Sequence, residues 1–137
     1  MAASKSALDP LAIGIDIGGT GTKFGIVDHV GNVLFSGSIS TKKHPQVETF
    51  IDDLYNNVKV LIDKAGGVGR MKGVGVGAPN GNCYTGTVEY APNLPWKGVI
   101  PLAKMLEDKF KLTVTLTNDA NAAAEGEMIY GAAQGMK

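Results

Sequence analysis

Residues 16–23 read Asp16-Ile17-Gly18-Gly19-Thr20-Gly21-Thr22-Lys23 and bring a carboxylate, bare glycines, two hydroxyls and an ammonium together in one short stretch. Those are the parts of a phosphate cradle. Backbone N–H groups without side chains can approach phosphate oxygens, Lys23 can neutralise charge, and Asp16 can hold Mg2+ through water. Two better-known glycine motifs do not fit. A dinucleotide fingerprint needs a glycine where Phe24 stands and a helix behind it, and a P-loop needs its lysine directly after the last glycine. Here Phe24-Gly25-Ile26-Val27 reads as another strand. A tight hairpin with no ligand would use the same glycines, so this segment alone leaves both readings open.

A second carboxylate comes at Asn118-Asp119, between a β-branched run (112–117) and an alanine-rich stretch (120–130). Open α/β sheets place ligands at such strand ends. Asn and Asp also cap helices there, and Asn121, Glu125 and Glu127 could equally face solvent. Together, however, Asp16 in a phosphate hairpin and Asp119 at a strand end are what phosphoryl transfer to a hydroxyl requires, one for metal and one for the acceptor's proton. A helix N-terminus favours ionised Asp119, so its main role would be to orient the hydroxyl and take the proton late.

These groups need a frame. Residues 12–17 alternate Ile13, Ile15 and Ile17 against Ala12, Gly14 and Asp16, the period of a strand. Runs at 24–28 and 33–41 follow after short turns, giving an antiparallel meander. Val47, Phe50, Ile51, Leu54, Val58, Leu61 and Ile62 then form the stripe of an amphipathic helix, which Gly66-Gly67 ends. A strand at 73–78, a Gly/Asn/Pro-rich loop at 79–98, a helix with Pro101 in its first turn, a strand at 112–117 and a helix at 120–130 complete the order β-β-β-α-β-α-β-α. That order predicts an α/β fold in which helices pack on one mixed sheet of about five strands.

Composition narrows the function classes. The 137 residues are 44% hydrophobic, enough for a core, so the chain is not disordered. Thirteen basic residues balance thirteen acidic ones, leaving no bulk field for nucleic acid or an anionic membrane. No apolar run approaches membrane-spanning length, and residues 1–10 lack the apolar region of a secretory signal, reading as a flexible leader. A single cysteine, Cys83, builds neither a disulfide framework nor a zinc site, which makes the cytoplasm the default compartment.

Four motifs, Gly14-Ile15-Asp16-Ile17-Gly18-Gly19-Thr20-Gly21-Thr22-Lys23, Gly77-Ala78-Pro79, Ala91-Pro92-Asn93-Leu94-Pro95-Trp96 and Asn118-Asp119-Ala120-Asn121-Ala122-Ala123-Ala124-Glu125-Gly126-Glu127, carry a resemblance. In order and spacing they resemble the N-terminal half of the ROK family of sugar kinases and repressors, above all its glucokinases. The resemblance implies the ribonuclease-H-like fold of the actin and hexokinase ATPases. It implies that Gly18, Gly19, Thr20, Gly21, Thr22 and Lys23 hold ATP phosphates, with Asp16 holding the accompanying Mg2+ through water. It further implies that Asp119 is the catalytic base and that Asn80, Gly81, Asn93, Asn118 and Asp119 meet the sugar. Where the family usually has Pro-Gly, this chain has Pro79-Asn80, and Asn tolerates a left-handed backbone next best after Gly.

The implied activity is ATP-dependent phosphorylation of a hexose in cytoplasmic carbohydrate metabolism, glucose first and at its 6-hydroxyl. Glucose and ATP are the implied partners, with no nucleic acid and no membrane, and a homodimer is an expectation for the full-length protein. Within the family the sugar could instead be N-acetylmannosamine, fructose or mannose, and the donor polyphosphate. A ROK-type repressor, binding sugar as an effector, is the alternative from another class; such regulators carry a helix-turn-helix ahead of the first strand, where this chain has about ten residues. The chain stops where the family's second lobe begins, so residues 11–137 are expected to be the N-terminal lobe of a two-lobed sugar kinase. The lobe alone is expected to be inactive and to hold no zinc. Trp96 is expected to pack under the sugar loop, His29 and His44 to be solvated in turns, and Cys83 to have no partner.

Overall fold

A computed structural model of the chain describes residues 10–118. Asp119 and the helix expected at 120–130 lie outside the described residues.

Three strands, β1 (Leu11–Ile17), β2 (Gly21–Val27) and β3 (Val33–Ser40), form the expected meander. Helix α1 (Val47–Lys64), a 3-10 turn (Val68–Arg70) and strand β4 (Met71–Gly77) follow. Then come β5 (Gly81–Asn82), β6 (Thr87–Glu89), β7 (Val99–Ile100), helix α2 (Leu102–Phe110) and β8 (Val114–Thr117). The main sheet has five strands in the order β3-β2-β1-β4-β8, with β1, β2 and β3 antiparallel and β4 and β8 parallel to β1.

Register fixes which side chains share a face. Ile13, Ile15 and Ile17 pair with Ile26, Phe24 and Thr22 across β2, while Ile13 and Ile15 pair with Val74 and Val76 across β4. This apolar face forms one core with the α1 stripe of Phe50, Ile51, Leu54, Val58 and Ile62. Each such side chain, fully buried, contributes roughly 1.5–3 kcal/mol. The alternate residues of β1, Gly14 and Asp16, share the opposite face with Gly25 and Lys23 of β2 and with Gly75 and Gly77 of β4. Period-2 alternation thus keeps the carboxylate of Asp16 away from the apolar core.

The end of α1 follows its glycines. Gly66 takes φ 111° and the Gly67 N–H donates to the Ile62 carbonyl at 2.8 Å, a closure that satisfies orphan carbonyls of the last turn. Helix α2 adds Leu102, Leu106 and Phe110 to the same core, with Phe110 edge-on to Tyr55 of α1 at 5.1 Å. Pro101 is its N-cap rather than a residue of its first turn, and the Pro101 carbonyl accepts from Met105.

Residues 79–98, read from sequence as a loop, contain most of a small antiparallel sheet in the order β5-β6-β7. Strands of two or three residues are too short to show a period, and only side-chain bonds reveal the hairpin. Asn82 Oδ1 accepts from the N–H groups of Tyr84 (2.9 Å) and Thr85 (3.3 Å), and Gly86 takes φ 72°. Among the described residues no helix is long and apolar enough to cross a membrane.

Candidate functional site

The parallel strands β1, β4 and β8 end on one edge: Asp16 is in register with Gly77, and Gly77 with Thr117. Every described residue proposed for chemistry belongs to this edge or to loops that fold onto it, the place where open α/β sheets bind ligands.

The glycine turn links β1 to β2, its ends joined by the Gly18 N–H donating to the Gly21 carbonyl at 2.9 Å. None of Gly18, Gly19 and Gly21 lies in the left-handed region, so backbone conformation explains none of them, and space explains only Gly18 and Gly19. A Cβ on Gly19 would collide with the Asn93 carbonyl, whereas one on Gly21 would meet only the Ile39 carbonyl at 3.5 Å. The fold itself therefore gives no reason for glycine at 21. The Thr20 carbonyl accepts from the N–H groups of Thr41 (3.0 Å) and Lys42 (3.3 Å), which ties the turn to the end of β3.

Asp16 and Lys23 lie opposite each other across β1 and β2 and line a groove of about 490 Å3. Partial burial pushes the Asp16 carboxyl above its ordinary range, and the Lys23 ammonium offsets this only in part. One carboxylate beside a phosphate turn suits Mg2+ held jointly with substrate phosphates and water, since that ion rarely takes an all-protein cage. Thr22 is placed differently from its neighbours in the motif. It faces the core, fully buried, and its Oγ1 shares a 2.6 Å hydrogen bond with Thr41 Oγ1.

The sugar candidates fall into two further cavities. Gly19, Thr20, Lys42 and Asn93 line one of about 480 Å3. Asn80, Gly81, Glu89 and Asn118 line the other, about 460 Å3. Gly81 is glycine because a Cβ there would sit 2.6 Å from the Thr117 carbonyl, so the 78–81 turn packs directly on the end of β8. Asn80 takes φ 58°, as an Asn in place of Gly can, and its Nδ2 donates to the carbonyls of Glu89 (2.9 Å) and Tyr90 (3.3 Å).

Sequence reasoning missed three residues here. His44 is not solvated: its side chain is 13% exposed, its Nε2 lies 2.8 Å from Asp53 Oδ2, and its Nδ1 lies 3.2 Å from Thr49 Oγ1. Its carbonyl accepts the Trp96 indole N–H at 3.0 Å, and Trp96 packs on Phe50 at 4.7 Å, which anchors the segment that carries Asn93. Lys42 and Glu89 are the others, each the charged residue of its cavity among those described. No spacing signal marks any of them, because loop closure brings them in.

The ROK family model matches residues 12–137. The chain is 38% identical to a glucokinase from Streptomyces coelicolor over 127 residues, which cover 91% of this chain and 38% of that protein. It is also 34% identical to a xylose repressor from Caldicellulosiruptor bescii, covering 87% of this chain and 30% of that protein. Among solved structures, a ROK family glucokinase from Streptomyces griseus in complex with glucose and AMPPNP superposes with a TM-score of 0.71 at 37% identity, covering 91% of this chain and 38% of that one. The chain thus spans less than half the length of the curated relatives it matches. The sheet order and these neighbours give it the actin and hexokinase-like fold, and the chain belongs to the ROK family.

Proposed function

We propose that this chain is the N-terminal lobe of a two-lobed, ATP-dependent hexose kinase of the cytoplasm, with glucose the first substrate and its 6-hydroxyl the acceptor. The observation that supports it best is the shared edge, where the Asp16–Lys23 turn and the cavity of Asn80, Gly81 and Asn118 lie at the ends of neighbouring parallel strands. Similarity to glucokinases over nearly the whole chain adds to it.

In this reading the backbone N–H groups of the glycine turn donate to phosphate oxygens, and Lys23 balances their charge. Thr22 supports the turn from the core side, its hydroxyl engaged with Thr41 and its backbone paired within the sheet. Asp16 holds Mg2+ through water, and the ion, when bound, spreads the charge of the transferring phosphoryl group. Asn80, Asn93 and Asn118 hydrogen-bond sugar hydroxyls. Asp119, next in sequence to Asn118, orients the attacking hydroxyl and accepts its proton.

The test is Asp119→Asn in the full-length protein. The expected result is a kcat lower by at least ~100-fold with sugar affinity within several-fold, because general-base contributions are typically 10²–10⁴ and an amide still hydrogen-bonds a hydroxyl. Near-normal turnover would reduce Asp119 to a helix cap. Similarity to a xylose repressor supports a second reading, a sugar-responsive regulator. Sugar binding without any transfer of phosphate from ATP or polyphosphate by the wild-type protein would favour it.

A further inference from the structure

We propose that Glu89 is a sugar-contacting, specificity-determining residue, one that makes the cavity at the end of β8 select neutral or cationic sugars over anionic ones. The inference rests on the hexose-kinase reading and names a preference that the motifs do not carry.

The three cavities differ in their charges, the first being a groove on the sheet face that reaches the edge at Asp16 and Lys23. Lys23 lines the first together with Asp16, and Lys42 lines the second. The third, with Asn80, Gly81 and Asn118, has Glu89 as its charged side chain and neither Lys nor Arg among the described residues. A phosphate-bearing ligand finds a cation in the first two cavities and a carboxylate in the third. Specificity of this kind needs a repulsive element as well as an attractive one, and Glu89 is that element.

The state of the carboxylate suits the task. Its Oε2 accepts from Thr87 Oγ1 (2.6 Å), Asn82 Nδ2 (3.3 Å) and Thr85 Oγ1 (3.4 Å). The Thr87 bond does most to hold the carboxyl below its ordinary range, against a burial effect that raises it, so Glu89 stays an anion near neutrality. Every one of these bonds goes to Oε2. A carboxylate has about four acceptor sites over its two oxygens, so Oε1 keeps its capacity for a ligand. Asn80 is left in a similar condition, with Nδ2 engaged by two carbonyls and Oδ1 still an acceptor. A pair of fixed acceptors in a cavity whose charged side chain, among the described residues, is a carboxylate is complementary to a polyol that donates O–H groups, and more so to one that carries an ammonium.

The plainer role for Glu89 is to clasp the 82–89 hairpin, and two variants separate the roles. Glu89→Gln keeps an acceptor for Thr87 and Asn82 and removes the charge. Thr87→Ala removes one clasp bond and keeps the charge. Both are made in the full-length protein and titrated calorimetrically with glucose and with protonated glucosamine, alongside thermal melts. E89Q is expected to bind glucose about tenfold more weakly, the size of a lost charge-assisted bond, to lose more affinity still for glucosamine, and to melt as the wild type does. T87A is expected to melt lower and to bind glucose within about twofold of wild type. Wild-type affinities for both sugars in E89Q would overturn the inference, and so would a loss in T87A as large as that in E89Q. A wild-type protein that binds no hexose at all would overturn the kinase reading and this inference together, whereas glucose binding that E89Q leaves untouched overturns this inference alone.

Discussion

Gly19 and Gly21 belong to one turn, yet different forces keep each a glycine. A Cβ on Gly19 would overlap the Asn93 carbonyl and lie 3.3 Å from the Asn93 carbonyl carbon and Cβ. A backbone carbonyl cannot swing aside as the tip of a side chain can, so Gly19→Ala must push the Asn93 segment off the turn. Overpacking of this kind costs about 1–3 kcal/mol. The segment does not yield freely either, because Trp96 is bonded to the His44 carbonyl and packed on Phe50. At Gly21 the nearest obstacle is the Ile39 carbonyl at 3.5 Å and the backbone is not left-handed, so alanine fits. There the reduced freedom of the unfolded chain contributes up to about 0.4–1 kcal/mol of stability. With each kcal/mol worth roughly 2–8 °C in a domain of this size, Gly19→Ala should melt several degrees lower and Gly21→Ala no lower than wild type. In the full-length protein Gly21→Ala should weaken nucleotide binding and spare glucose, whereas Gly19→Ala should weaken both because Asn93 moves. Scanning calorimetry and titration calorimetry with each ligand measure this directly. The reasoning is refuted if Gly19→Ala melts and binds glucose like wild type, or if Gly21→Ala loses glucose affinity while nucleotide binding is untouched.

Asp16, with a carboxyl raised by burial, binds its proton more tightly folded than unfolded, so stability falls as pH rises from 3.8 through its folded value, and the ionised form costs stability at neutral pH. Asp16→Asn should therefore melt no lower than wild type at pH 7, lose that pH slope, and lose the Mg2+ dependence of nucleotide binding; a clear fall in melting temperature would contradict it. Asp28 behaves in the opposite sense. Burial is the largest single influence on its carboxyl and raises it, but the hydrogen bonds from Asn32 and Val30 together outweigh this and hold it low, so its stabilisation is present above 3.8 and is lost as pH falls through the folded value. Asp28→Ala should melt lower at neutral pH and converge with wild type in acid, which a series of melts against pH would show. Trp96→Phe removes the donor to the part-buried His44 carbonyl, at the cost of an ordinary hydrogen bond, about 0.5–1.5 kcal/mol; a lower melting temperature and weaker glucose binding are expected, with nucleotide binding less affected.

How much of this was legible in the sequence depended on the range of the interaction that decides each element. Strand β1 and helix α1 were readable because Ile13, Ile15 and Ile17 and the Phe50 to Ile62 stripe each repeat a period long enough to detect, and the Gly66-Gly67 stop acts within a few residues. The mixed five-stranded sheet followed from the order of such elements. The β5-β6-β7 sheet was not readable, since its strands of two or three residues pair over too short a length to show a period, and the bonds among Asn82, Thr87 and Glu89 that brace β5 on β6 leave no hydrophobic pattern. The glycine turn could be singled out as a candidate phosphate cradle, but its motif treats Thr22 and Lys23 alike, and only register shows that Thr22 turns to the core while Lys23 faces Asp16.

The same distinction governs which substitutions are informative. Gly19 and Gly81 each press on the backbone of another segment, at Asn93 and Thr117, so a change at either alters the fold and the site at once. Gly21 carries no such constraint from close backbone contact, and in the proposed function Gly21, Lys42 and Glu89 matter through charge or access at the cavities they line or adjoin. Loss of ligand affinity at these positions without loss of stability is evidence for a site, because unchanged melting shows that the packing and the hairpin bonds of Glu89 are kept. Lys42 is the sharpest case, an exposed cation beside Thr20 and Asn93 whose backbone N–H already holds the glycine turn. Lys42→Met keeps that N–H and much of the stem, so a weaker grip on phosphate with unchanged melting would assign the ammonium to the donor. Unchanged nucleotide affinity would leave Lys42 as no more than an anchor of the turn.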